Sequence, residues 1–290
     1  MSIHQLNLSG KDKIEVAIGR LKMFEPQEGY RLAFSGGKDS CVIKALADMA
    51  GVKYEAHYSI TGIDPPELVR FIMDKHPDVI RDKPRDRDGN RITMWSLIPK
   101  KKAPPMRIVR YCCQELKESN GLGRITITGV RWAESANRKN NQGGITIYDK
   151  KAKRLIEQIA DEDDYKKTHK RGVVLRLDND KSKQIVDMCY KTHRTTINPI
   201  IDWTDEDVWE FLHEYEIPYC ELYDQGYKRL GCVGCPMSSK AADELDRYPK
   251  FKNLYLLAFE KMIQARKDAG LEVRESWSTP QGVMDWWLQK

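Results

Sequence analysis

The chain has 290 residues, 40% hydrophobic and 32% charged, with a formal net charge of +6. No apolar run approaches the ~20 residues of a membrane helix, and the opening MSIHQLNLSGKDK lacks an apolar leader core. These features lead us to expect no helical membrane span and a cytoplasmic protein, in which seven cysteines point to metal binding or chemistry rather than disulfides. The length suits one large α/β domain with, at most, a modest appendage.

In chain order, YRLAFS reads as a short buried strand that ends in a glycine turn. Val42, Ile43, Ala45, Leu46 and Met49 then recur at helical spacing until Gly51. VKYEAHYSI is a second strand, and PPELVRFIMDKH a helix with prolines at its entry, where a missing N–H costs little. Arg81 to Arg110 follows with ten Lys/Arg against three Asp/Glu. That segment reads as a solvated, mobile insertion, or as a surface for phosphate-rich partners such as nucleotide or nucleic acid. Lacking interleaved aromatics or a nucleic-acid motif, it leans toward the first reading.

RITITGV alternates as a strand and AESANRK opens a helix. Within the polar stretch 140–182, GGITIYD and GVVLRL are expected to pair as a hairpin around KKAKRLIEQIADEDDYKK. In TINPIIDWTDEDVWEFLHEY an extended approach halts at Pro199, and Thr204 with Asp207 offers a capping-box start. Val208, Phe211, Leu212 and Tyr215 line one face of the helix that follows, and a long helix is expected from about Tyr248 to Ala269. Alternating strands and helices imply an α/β fold, a mainly parallel sheet with helices on both faces and a helical C-terminal extension. The expected domains are 1–237, with insertions at 81–110 and 140–182, and the extension 238–290.

The string S-G-G-K-D-S, Ser35 to Ser40, sits where a strand meets a helix. Gly36 and Gly37 free backbone N–H groups and leave room for phosphate, Ser35 and Ser40 add hydroxyls, and the helix end adds its dipole. Lys38 contributes a mobile positive charge, and Asp39 can hold Mg²⁺ or cap the helix. A tight turn with a helix cap is the plainer alternative, and the full string favours phosphate. Far downstream, Cys232 and Cys235 form a C-x-x-C between glycines, while Cys112 and Cys113 are adjacent. Adjacent cysteines are awkward ligands for one zinc ion, whereas a cubane offers each its own iron corner. A [4Fe–4S] cluster is therefore expected ahead of zinc or of two core thiols.

The Ser35–Ser40 string resembles the PP-loop of the ATP pyrophosphatase superfamily, whose members split ATP between its α and β phosphates. That resemblance implies that Ser35, Gly36, Gly37 and Ser40 cradle pyrophosphate while Lys38 and Asp39 neutralise its charge. The paired cysteines with the distant C-x-x-C resemble the cluster-binding pattern of iron–sulfur adenylylsulfate reductases. TGIDPPELVRFI (with Thr61 and Gly62), GVRWAESANR, INPIIDWTDEDVWEFL and PYCELYDQGYKRLGC resemble further blocks of that family, in the right order. The chain is thus identified, over roughly 30–75 and 107–237, as similar to the phosphoadenosine phosphosulfate reductase family. That family has the adenine nucleotide α-hydrolase-like fold. The resemblance implies that Arg131 and Arg138 face the anionic end of the nucleotide, that Glu134 orients them, and that Thr61 and Gly62 lie at the nucleotide.

Two departures stand out. Sulfonucleotide reductases carry a nucleophilic cysteine in an E-C-G-L-H-like tail, and here no cysteine follows Cys235. Their phosphate loop is often degenerate, and this one is intact. The pattern is closer to relatives that activate a substrate with ATP, such as the adenylating proteins of DNA phosphorothioation systems. The expectation is an ATP-dependent sulfur-transfer enzyme, with ATP or a sulfonucleotide, Mg²⁺ and a [4Fe–4S] cluster near the nucleotide, and a sulfur donor protein as a further partner. The alternatives are a reductase releasing sulfite, or a nucleic-acid-binding accessory acting through Arg81–Arg110 with a nucleotide sensor. Cys41, Cys189 and Cys220 are candidate sulfur carriers, but their apolar settings suggest packing. Trp277, Trp286 and Trp287 are read as docking a C-terminal helix rather than stacking on a base.

Overall fold

The computed structural model describes residues 2–7, 10–86, 88–117, 121–148, 154, 156–157, 160–168 and 172–289. Parts of the expected insertions, including Arg87 and most of KKAKRLIEQ, lie outside the described residues. Contacts divide the chain into two compact units, cut differently from the expected domains. The first is Met1–Tyr58, Arg70–Ile80 and Gly121–Arg229; the second is Ser59–Val69, Arg81–Asn120 and Leu230–Lys290.

Eight strands are described: β1 (Tyr30–Ala33), β2 (Tyr54–Ser59), β3 (Ile80–Asp82), β4 (Ile125–Ile127), β5 (Ile145–Tyr148), β6 (Tyr165–Lys167), β7 (Gly172–Leu175) and β8 (Arg194–Ile197). They form one sheet in the order β3-β2-β1-β4-β8-β5-β7-β6. β1 pairs in parallel with β2 and β4, and β4 with β8. β5 lies antiparallel to both β8 and β7, and β6 antiparallel to β7. So β2, β1, β4, β8 and β7 run one way and β5 and β6 the other, which makes the sheet mostly parallel. β4 and β7 are buried at every position, as strands covered on both faces must be. The expected hairpin is β5 with β7, and β6 adds an edge strand from the segment between them.

The described helices are α1 (Lys13–Met23), α2 (Lys38–Ala50), α3 (Pro66–Lys75), α4 (Met94–Lys101), α5 (Tyr111–Leu116), α6 (Ala136–Asn141), α7 (Asp180–Cys189), α8 (Asp205–Glu214), α9 (Ala241–Arg247), α10 (Pro249–Asp268) and α11 (Pro280–Leu288). α2 stops at Gly51, whose φ of 68° lets its N–H reach back to the last carbonyls. α8 starts with the expected capping box of Thr204 and Asp207, and buries Val208, Phe211 and Leu212. Tyr215, expected on that face, is 37% exposed at the helix end. No described helix is long and apolar enough to cross a membrane.

In the second unit, α4, α10 and α11 close a core around Leu97, Ile98, Tyr255, Phe259, Met284 and Trp287. The reading of 81–110 as a solvated, mobile insertion is corrected here, because Ile92, Met94, Leu97 and Ile98 are all buried in that core. Met94, Leu97 and Ile98 fall at i, i+3 and i+4 on one helical face, and Lys100 and Lys101 close the last turn of the same helix. The surplus charge therefore flanks a core helix. The tail aromatics dock as expected: Trp277 and Trp287 are buried, and Trp287 Nε1 donates to the Pro105 carbonyl at 2.6 Å.

Asp207 ties α8 to α1. Its fully buried carboxylate accepts from Lys13 Nζ and from the Thr204 N–H, the latter at 2.6 Å. Burial opposes its ionisation, but Lys13 and Thr204 outweigh that and hold its pKa below the usual carboxylate range. A carboxylate depressed in this way stabilises the fold above about pH 4 and loses that contribution as pH falls through its folded value. Lys13→Met is expected to cost about 2–3 kcal/mol at pH 7 and to flatten the acid dependence relative to the parent. Urea titrations at pH 7 and pH 3.5 check this, and equal acid sensitivity in both proteins would contradict it.

Candidate functional site

In the first unit, β1 ends at Ala33 and the chain turns through Ser35–Gly37 into α2. Gly36 takes φ 73°, a conformation that favours glycine, and Gly37 is the extended N-cap residue. Ser40 Oγ donates to the Gly37 carbonyl at 2.7 Å and accepts from the Ser35 N–H at 3.2 Å. The Gly37 N–H makes only a long contact, 3.4 Å, with Ser35 Oγ. The Lys38 N–H donates to the Tyr223 hydroxyl at 2.9 Å. The turn is thus pinned from below by Ser40 and from the side by Tyr223.

Four charged groups gather at this helix end. Arg131, 2% exposed, donates from Nε to Asp39 Oδ1 at 2.6 Å, from Nη2 to Asp205 Oδ1 at 2.6 Å, and from Nη1 to the Trp203 carbonyl at 3.2 Å. Lys38 Nζ lies 2.7 Å from Asp205 Oδ1 and 3.7 Å from Asp39 Oδ1. Burial works against ionisation of Asp205, yet the hydrogen bonds from Lys38 and Arg131 hold its pKa below the ordinary value. Gly129 is what lets these segments meet: a Cβ there would lie 3.0 Å from both the Asp39 Cβ and its carbonyl oxygen.

Glu134 Oε1 accepts from the Arg131 backbone N–H at 3.2 Å and from Arg138 Nη1. Burial lowers the Arg138 pKa, with Arg229 as a further like charge. So Ser35–Ser40, Arg131, Glu134 and Arg138 share one unit. Asp205 and Tyr223 complete their surroundings and escaped the sequence reading. Tyr223 lies in the PYCELYDQGYKRLGC stretch, and Asp205 beside the capping box of Thr204 and Asp207.

Thr61 and Gly62 belong to the second unit, with the four cysteines. Cys112, Cys113, Cys232 and Cys235 line one hollow of ≈ 320 Å³, open mouth included, together with Thr61, Ile63, Met94, Leu116, Lys117, Pro236 and Tyr255. α5 carries the adjacent pair, and the C-x-x-C turns at Gly234, whose φ is 67° and whose N–H donates to Glu244. All four thiols are free. Among the described residues, no three His, Cys, Asp or Glu side chains close on one point as a single metal ion needs.

The Cys112 thiol donates to Cys113, and Arg110 Nη2 lies 3.3 Å from that sulfur, which together hold the Cys113 thiol well below its ordinary range. Burial pushes Cys232 up to about 12 against the pull of Lys117. Lys117 itself is raised, chiefly by Cys232 and then by Asp64, which accepts from Thr61 Oγ1 at 2.7 Å. The other three cysteines, Cys41, Cys189 and Cys220, are buried, and burial raises Cys41 and Cys189, in line with packing roles.

The sequence model of the phosphoadenosine phosphosulfate reductase domain matches residues 29–238, and the chain belongs to that family. It is 25% identical over 256 residues to an uncharacterized protein of Methanocaldococcus jannaschii, covering 84% of this chain and 49% of that one. It is 43% identical over 54 residues to an adenosine 5′-phosphosulfate reductase of Salinibacter ruber, covering 19% and 20%. It is also 36% identical over 64 residues to a phosphoadenosine 5′-phosphosulfate reductase of Xylella fastidiosa, covering 21% and 27%. The chain thus spans about half, or less, of the length of these curated relatives. Among solved structures it is similar to a phosphoadenylyl-sulfate reductase of Candida auris in a phosphate complex. There the TM-score is 0.41 at 15% identity, covering 80% of this chain and 98% of that one. The FMN adenylyltransferase of Candida glabrata gives a TM-score of 0.42 at 15% identity, covering 76% and 64%.

Gly129→Ala is expected to push the start of α2 away from Arg131 and to cost about 1–3 kcal/mol. Thermal denaturation checks it. An unchanged midpoint would mean that the close approach at Asp39 is not a constraint.

Proposed function

We propose that the chain is an enzyme that splits ATP into AMP and pyrophosphate to adenylate an acceptor oxygen, after which sulfur from a donor displaces AMP. The observation that carries this reading is the Ser35–Ser40 turn at the start of α2 with Lys38 and Arg131 gathered beside it. As the acceptor oxygen attacks the α-phosphorus, the bond to the β-phosphate breaks and negative charge builds on pyrophosphate. The Gly37 N–H and the Lys38 ammonium would donate to that charge, and the positive end of the α2 dipole would favour it. Asp39, which gives one oxygen to Arg131, would hold Mg²⁺ together with phosphate oxygens, a coordination of one or two carboxylates typical of that ion.

Cys112, Cys113, Cys232 and Cys235 would hold a [4Fe–4S] cluster. Four free thiols lining one hollow support a metal centre there, and the adjacency of Cys112 and Cys113 favours a multi-iron centre over a single zinc ion. Bound there, the cluster would supply a fixed charge, with Lys117 and Arg110 as compensating cations. A second reading, favoured by the names of the Salinibacter and Xylella relatives, is a reductase that releases sulfite from adenylylsulfate or its 3′-phosphorylated form.

Anaerobic purification followed by incubation with ATP, adenylylsulfate and 3′-phosphoadenylylsulfate separates the two. Pyrophosphate release from ATP is expected, falling about 100-fold or more in Lys38→Ala. Sulfite from either sulfonucleotide, without pyrophosphate release, puts the reductase first. Iron and sulfide are expected at about four each per chain and are lost in Cys232→Ser. Stoichiometric zinc in their place would overturn the cluster.

A further inference from the structure

One oxygen of Asp205 serves two cations. Asp205 Oδ1 accepts from Lys38 Nζ at 2.7 Å and from Arg131 Nη2 at 2.6 Å. Both cations are buried, at 5% and 2% exposure, while the Asp205 side chain is 64% exposed. A carboxylate that bridges two buried cations from the solvent side occupies the place a bound anion would take. Arg131 is also held by Asp39 and the Trp203 carbonyl, so it stays put if Asp205 leaves. Lys38 is different: its other carboxylate contact is the longer one, 3.7 Å to Asp39.

We propose that Asp205 is a positioning residue that stands in for the nucleotide's anionic end in the free site and hands Lys38 to the arriving phosphate oxygens. This rests on the nucleotide reading given above. Carboxylate and phosphate compete for the same ammonium, and the exposed Asp205 side chain can turn into water at little cost. While it is in place, Asp205 keeps Lys38 extended over the turn. Without it, Lys38 falls back on Asp39, the residue proposed for Mg²⁺.

Removing the charge therefore moves binding and turnover in opposite directions. In Asp205→Asn, the Kd for ATP and for adenylylsulfate, measured by calorimetric titration, is expected to fall about tenfold, because the nearer competing anion is gone and Asp39 holds Lys38 only at the longer distance. Turnover of whichever nucleotide the parent consumes is expected to fall about 100-fold, because Lys38 resting on Asp39 then competes with Mg²⁺ for that carboxylate. Asp205→Glu restores both toward the parent, and circular dichroism confirms that each variant is folded. A purely structural role predicts weaker binding together with slower turnover, and that result overturns the proposal. So does an Asp205→Asn protein equal to the parent in both measurements. A parent chain that binds neither nucleotide overturns the nucleotide reading, and this inference with it; a parent that binds while Asp205→Asn is unaltered overturns the inference alone.

Discussion

A guanidinium buried just beyond the end of β4 sets the terms for the first unit. Arg131 is almost completely removed from water, and an unpaired charge in that position would cost several kcal/mol. It is tolerated because three acceptors converge on it: Asp39 at the start of α2, Asp205 at the start of α8, and the Trp203 carbonyl just before α8. Each acceptor comes from a different stretch of chain or a different backbone level. Satisfying them fixes where α2 begins relative to the strand ends, and hence where the glycine turn opens. The absent side chain of Gly129 is the steric counterpart of that electrostatic demand.

The second unit solves another problem, which is how to bring two adjacent thiols and a C-x-x-C to one hollow. α5 is too short to be stable alone, so its position derives from packing of Tyr111 and Leu116 into the aromatic and aliphatic core. The knuckle at Gly234 is held by its N–H bond to Glu244 and by the Val233 N–H to the Ile63 carbonyl. Gly234 takes φ 67°, where a side chain is strained, and a Cβ there would lie 3.0 Å from Leu245 Cδ2, so Leu245 would have to yield. Apolar walls then make the charge balance of the thiols matter, and Arg110 and Lys117 are the cations that answer it.

What could be read in advance was local. Helix α2 announces itself through apolar spacing and Gly51, α8 through Thr204 and Asp207, and the β5–β7 pairing through two alternating apolar runs. In the segment 81–110 a count of charges hides the periodicity: four core residues, Ile92, Met94, Leu97 and Ile98, sit among the arginines and lysines. Asp205 and Tyr223 were passed over for another reason. Their partners at Lys38 lie 167 and 185 positions away, and no short-range pattern reports a contact of that span.

The elements and the chemical inventory are legible from the residues alone: a glycine turn between strand and helix, four thiols at telling spacings, and the arginines of one block. These follow from backbone periodicity, glycine's conformational range and side-chain chemistry, all properties of neighbouring residues. It takes the folded chain to engage Arg131 with two carboxylates, to rest Lys38 on Asp205, and to turn the four cysteines to one hollow. Such pairings depend on which charges burial forces together, and burial is a property of the folded whole.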